Sequence, residues 1–108
     1  MQRIFGIIFT LLLAVALPGS GFAAGFGTGN LVVLRAGDGS GALSSAAAAV
    51  FLDEYTAAGT KVQSLAMPTV ASGSNRPLTV AGSSTADGAL RRSADGRFLT
   101  LAGYAAAP

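Results

Sequence analysis

Beyond residue 24, every strand-like run in this chain is short and is closed within a few residues by glycine or proline. Leu31–Leu34 runs into Gly37, Val50–Tyr55 into Gly59, Lys61–Met67 into Pro68, Leu78–Ala81 into Gly82, and Ala89–Ser93 into Gly96. Proline cannot donate to a ladder, and glycine tolerates the positive φ of tight turns. Such punctuation limits the chain to short strands joined by turns. Twelve of the chain's 15 glycines lie in this part, and they and its few charged residues fit the same pattern.

The first 24 residues have a different grammar. Met1-Gln2-Arg3 places one positive charge in front of the apolar run Ile4–Leu17, and Pro18-Gly19 breaks it. Small residues follow, with Gly21 and Ala23 at the two positions a signal peptidase requires. This is the layout of a secretory signal peptide, a helix over residues 1–23 cleaved between Ala23 and Ala24. The apolar run is shorter than the roughly 20 residues that cross a bilayer core of about 30 Å. The expected address is secreted or periplasmic, with the membrane touched only transiently during export.

Composition removes several function classes. Cysteine and histidine are both absent, so there is no disulfide framework, no thiol or Ser-His nucleophile, and no imidazole metal site. The mature part carries six basic residues (Arg35, Lys61, Arg76, Arg91, Arg92, Arg97) against five acidic ones (Asp38, Asp53, Glu54, Asp87, Asp95). That near-balance is no nucleic-acid footprint, which needs Lys and Arg clustered on one face. Residues 24–108 make at most one small domain.

Along the mature chain, 24–29 reads as a flexible lead-in and 30–108 as an antiparallel all-β meander. Leu31–Leu34 is apolar on both faces and reads as a buried strand. Ala42–Tyr55 is divided. Ala46–Ala49 favours helix, with Ser45 as its N-cap, while Val50–Tyr55 suits a strand. The hairpin spacing through Thr56–Gly59 to Lys61–Met67 selects a loop to about Ala47 and a strand from Ala49 to Tyr55. Ala89–Ser93 and Arg97–Tyr104 form a second hairpin, with Asp95 and Gly96 as its structural turn.

No constellation reads as catalytic, cofactor-binding or metal-ligating. Asp53 and Glu54 are adjacent, so a strand sends them to opposite faces, and they read as a solvated strand end. Gly37–Gly41 lacks the ligand spacing of a calcium loop and the Lys-Ser/Thr of a P-loop, and reads as a turn. Lys61 has no serine placed beside it and reads as a surface lysine. Arg91-Arg92 reads as a charged edge strand that discourages aggregation.

The segment Ser93-Ala94-Asp95-Gly96-Arg97-Phe98-Leu99, continuing to Gly103-Tyr104, resembles the Ser-Pro-Asp-Gly-Arg-Tyr-Leu hairpin of exported bacterial β-propellers of the TolB, YVTN and WD-repeat type. Ala94 stands where those repeats often carry proline. Asn30–Arg35, Leu52–Tyr55 and Gly59–Met67 are similar to the opening blade of secreted propeller-like proteins. The step from Gly59 to Gly96 is near the roughly 40-residue period of such blades. The resemblance implies an incomplete β-propeller of one to two blades, since closed propellers have about four to eight. The rival is a standalone β-sandwich or open barrel.

Two functions follow as expectations. One is an exported non-catalytic interaction scaffold, with a protein or a glycan as partner and no cofactor. The other is the N-terminal part of an exported propeller enzyme of hydrolase or lactonase type, whose catalytic residues lie in further blades. The export reading is checked by N-terminal sequencing of exported material. The first residue is expected to be Ala24, and a membrane-bound product retaining Met1 would contradict it.

Overall fold

The computed structural model describes residues 24–108. The export segment through Ala23 lies outside the described residues. The described chain is all-β and antiparallel, with no helix. Its strands are β1 (Leu31–Ala36), β2 (Ala47–Tyr55), β3 (Lys61–Ala66), β4 (Thr79–Ala81), β5 (Arg91–Arg92) and β6 (Leu99–Thr100). β1, β2 and β3 form a meander with β2 in the middle. β4 does not continue it beside β3. It pairs instead with the start of β2, Ala47 opposite Ala81 and Ala49 opposite Thr79. β5 and β6 form a separate two-stranded hairpin.

The alanine run joins β2 two residues earlier than its sequence suggests. The reason is tertiary. β4 bonds to Ala47–Ala49, the Gly82 amide donates to the Ala46 carbonyl at 3.1 Å, and the Gly37 amide to the Ala49 carbonyl at 2.7 Å. Each of these bonds holds an extended backbone that helix propensity, a fraction of a kcal/mol per alanine, does not overcome.

Alternation along β2 defines two faces. Val50, Leu52 and Glu54 share one with Val32, Leu34 and Ala36 of β1 and with Gln63 and Leu65 of β3. This is the core face, where Val50, Leu52 and Val80 are buried. The loop at Gly88 closes over it. Gly88 has φ +70°, and a Cβ there would sit 3.0 Å from Val80 and 3.1 Å from Leu34. Among the described residues these three buried aliphatic side chains contribute about 1.5–3 kcal/mol each, a modest apolar core.

The other face carries Phe51, Asp53 and Tyr55 of β2, Leu31, Val33 and Arg35 of β1, and Ser64 and Ala66 of β3. Leu31 is 62 % and Val33 42 % exposed. β1 is therefore not buried on both sides as its apolar sequence suggests. No described segment lies over Leu31 and Val33, and we call this the open face.

Pro68 ends the meander, and its carbonyl accepts from the Leu78 amide at 2.8 Å, which turns the chain back to β4. Thr79 exchanges both backbone bonds with Tyr104, at 3.0 and 2.7 Å. Gly103 makes this possible, because a Cβ there would lie 2.5 Å from the Thr79 carbonyl oxygen. The Asp95-Gly96 turn forms as its sequence indicates. The Ser93 amide donates to the Phe98 carbonyl at 2.8 Å, Asp95 Oδ1 accepts from the Arg97 amide at 3.1 Å, and Gly96 has φ +72°. Its strands are much shorter than the expected Ala89–Ser93 and Arg97–Tyr104, two residues each. Arg91, Arg92 and Phe98 stay exposed, so little packing extends the ladder, and Tyr104 is drawn away to β4.

Candidate interaction surface

At the centre of the open face lies a buried carboxylate. Asp53 is 3 % exposed and sits on β2, with Val33 directly opposite on β1 and Ser64 on β3. Arg35 Nε donates to Asp53 Oδ2 at 2.7 Å, and the Ser64 hydroxyl donates to Oδ1. Lys61 Nζ approaches Oδ1 to 3.3 Å. Lys61 reaches this face through a β-bulge: Glu54 faces Gln63 but Tyr55 faces Lys61, so Val62 is the extra residue. Without the bulge, alternation from Ser64 would turn Lys61 to the core face. Bulges commonly re-aim a side chain in this way.

Arg35 is held from three sides. Its Nη1 donates to the Gly37 carbonyl at 2.6 Å, and its guanidinium lies 4.2 Å from the centroid of the Phe51 ring. A cation over an aromatic face is attracted by the ring quadrupole. The Arg35 guanidinium, then the Ser64 hydroxyl and the Lys61 ammonium, hold the Asp53 carboxyl far below the ordinary carboxylate range. Asp53 in turn raises the pKa of Arg35.

Glu54 occupies the core face at 1 % exposure. Asn30 Nδ2 and the Gly27 amide both donate to its Oε1 at 2.6 Å, and Gln63 Nε2 donates to its Oε2 at 2.6 Å. Asn30, followed by Gln63 and the Gly27 amide, lowers its pKa. Gln63 also donates to the Ala24 carbonyl at 3.3 Å. Residues 24–30 are thus tied across the core face from β1 to β3.

Asp53 and Glu54 do point to opposite faces, as adjacency requires. They are buried, however, and not the solvated strand end that the sequence suggests. The signal lay in register. A turn at Thr56–Gly59 brings Gln63 opposite Glu54 and Ser64 opposite Asp53, a polar partner for each. The same register brings Ser64 and Lys61 onto one carboxylate, a proximity the linear sequence hides. Chemically, the cluster is a set of satisfied structural ions. The Ser64 hydroxyl and the two cations engage both carboxylate oxygens of Asp53.

The other singled-out residues lie apart. Asp95 and Gly96 form their turn, and Asp95 accepts a 2.5 Å bond from the Ser93 hydroxyl. Asp38 serves the Gly37–Gly41 loop, accepting from the Ser40 amide at 2.9 Å and its hydroxyl at 2.6 Å. Arg91 and Arg92 are exposed on β5. Ala24 is exposed, and Ala23 lies outside the described residues. A cleft of about 490 Å³ runs between Ala86–Ala89 and Thr100–Tyr104, where the Tyr104 hydroxyl donates to Asp87 Oδ1 at 3.3 Å. Among the described residues, no group of three acidic side chains is placed to hold a metal ion.

Around the cluster, the open face is apolar and accessible. Leu31, Val33 and Val62 are exposed, and Phe51 and Tyr55 are half-buried. Arg35 and Lys61 against Asp53 leave one surplus positive charge. In comparisons with family models, with curated proteins and with solved structures, the chain matches none of them.

Asp53→Asn is expected to lower the unfolding free energy at neutral pH by about 1–3 kcal/mol, the scale of hydrogen bonds to a charged group. Arg35 and Lys61 reach solvent, which favours the low end. Because the folded pKa lies below the unfolded value of about 3.9, the stabilisation is complete above about pH 5 and is lost progressively as pH falls through the unfolded and then the folded pKa. Urea unfolding followed over pH checks both points. The chain carrying Asp53→Asn should lose less stability in acid than the native chain.

Proposed function

We propose that this chain is an exported, non-catalytic β-sheet module that acts as an interaction scaffold, with its open face as the docking surface for a separate exported protein. The observation that carries the reading is an accessible apolar patch, Leu31, Val33, Val62, Phe51 and Tyr55, built around an ion cluster with one surplus cation. Contiguous exposed apolar surface rimmed by polar groups marks interaction sites. The charge defines the partner: an apolar surface that sets a carboxylate over Arg35 and Lys61. The cluster fits such docking because its geometry is already fixed, so little ordering is needed on binding.

Export is supported by the charged start, short apolar run and small residues of Met1–Ala24. The finer fold reading, an incomplete β-propeller, is supported by the Ser93–Leu99 hairpin motif and its Asp95-Gly96 turn.

The test is photo-crosslinking in the producing cell, with a photoreactive residue at Val33 or Val62 and a control at Arg92. The expected result is one discrete adduct with a second protein from Val33 and Val62, abolished by Arg35→Glu together with Lys61→Glu, and none from Arg92. Absence of adducts from the open face would overturn the reading. An adduct lying within a longer product of the same chain would also overturn it, because the open face would then be covered by further blades of that product and not by a separate protein.

A further inference from the structure

The two outer edges of the meander differ in how they meet solvent. Edge strands expose N–H and C=O groups that template pairing with another chain, and proteins blunt them with bulges, lysine, polar residues and proline. The β3 edge has all four: the bulge at Val62, Lys61, the pair Gln63 and Ser64, and Pro68 just past its end. Of these the β1 edge has one polar residue, Arg35, and its guanidinium is turned inward onto Asp53. Its sequence is Leu-Val-Val-Leu-Arg-Ala, regular and without a bulge.

Which β1 groups point outward follows from one bond. The Gly37 amide donates inward to Ala49, so alternation turns Arg35, Val33 and Leu31 toward β2. Val32, Leu34 and Ala36 turn outward. Among the described residues, the outward N–H and C=O of these three have no backbone partner. The lead-in binds over β2 and β3 through Gly27 and Ala24, and the β5–β6 hairpin approaches Val32 across a cleft without bonding its backbone.

We propose that the β1 edge pairs antiparallel with β1 of a second copy of this chain, about a two-fold axis through Leu34, to make one continuous sheet. Self-complementarity argues for the occupant. In this register Val32 faces the partner's Ala36, Leu34 faces its counterpart, and all three outward residues of each copy bond. Shifting toward the C-terminal side by one hydrogen-bonded step sets Arg35 against its own copy, a like-charge pair directly opposed, which is destabilising. Shifting the other way calls on the Asn30 amide, already donated to the Gly27 carbonyl at 3.2 Å. In the proposed register Arg35 faces the partner's Val33, and the two open faces join side by side. A six-residue edge is smaller than the roughly 800 Å² per partner of a stable interface, so the dimer is concentration-dependent.

Sedimentation of the chain expressed from Met1 and purified without detergent tests this. A monomer–dimer equilibrium is expected between micromolar and millimolar concentration. Val32→Pro removes an outward donor while leaving the β1–β2 ladder intact, and should weaken association roughly tenfold or more. Val33→Lys is a second variant that keeps the fold in reach, since the introduced ammonium faces Asp53 within the chain yet opposes the partner's Arg35. It should leave the far-ultraviolet circular dichroism unchanged and weaken the dimer in a salt-dependent way. A monomer throughout the range, or dimers of undiminished strength from both variants, would overturn the proposal.

Discussion

Asp53 and Glu54 stand side by side on β2, and burying both obliges three strands to meet in one register. Each carboxylate is costly to bury without partners. Asp53 draws Arg35 from β1 and Ser64 and Lys61 from β3, while Glu54 draws Asn30 and Gln63 and the Gly27 amide. A slip by one residue would exchange the faces of every side chain and leave both anions unsatisfied. With three buried aliphatic side chains among the described residues, this polar lock carries a large part of the specificity of the sheet.

Much of the meander was legible in the sequence, and the reasons are local. Gly59 and Pro68 punctuate β2 and β3, and Asp95-Gly96 fixes its turn, because φ and the missing proline donor act within a few residues. What stayed hidden depended on partners far along the chain. The alanine run is a strand because Thr79–Ala81 returns from far along the chain to bond it. β1 looks buried on both faces because its sequence is apolar, yet only the core face receives a cover, from the Gly88 loop. Asp53 and Glu54 looked like a wet strand end because charge alone does not reveal a register. The bulge at Val62 is similarly silent in sequence, although it decides on which face Lys61 falls.

The same architecture distributes its surfaces unequally. The core face is covered by residues 24–30 and by the Gly88 loop, and the open face holds apolar groups around a fixed ion cluster. One sheet edge is blunted and the other is regular. A regular hydrogen-bonded edge and accessible apolar side chains therefore coincide on β1 and the open face. The β5–β6 hairpin, with two residues per strand and exposed arginines, stands at the weaker end of the molecule.

Native-state hydrogen exchange tests most directly whether the β2 lock organises the fold. Local opening free energies run from near zero in mobile segments to the global value in the elements that hold a structure together. The slowest amides are expected in Val50–Tyr55, exchanging only by global unfolding, with the β5–β6 hairpin exchanging early. Asp53→Asn should accelerate the Val50–Tyr55 amides as a group. Slowest exchange in β5–β6, or protection of Val50–Tyr55 unchanged by that substitution, would contradict the account.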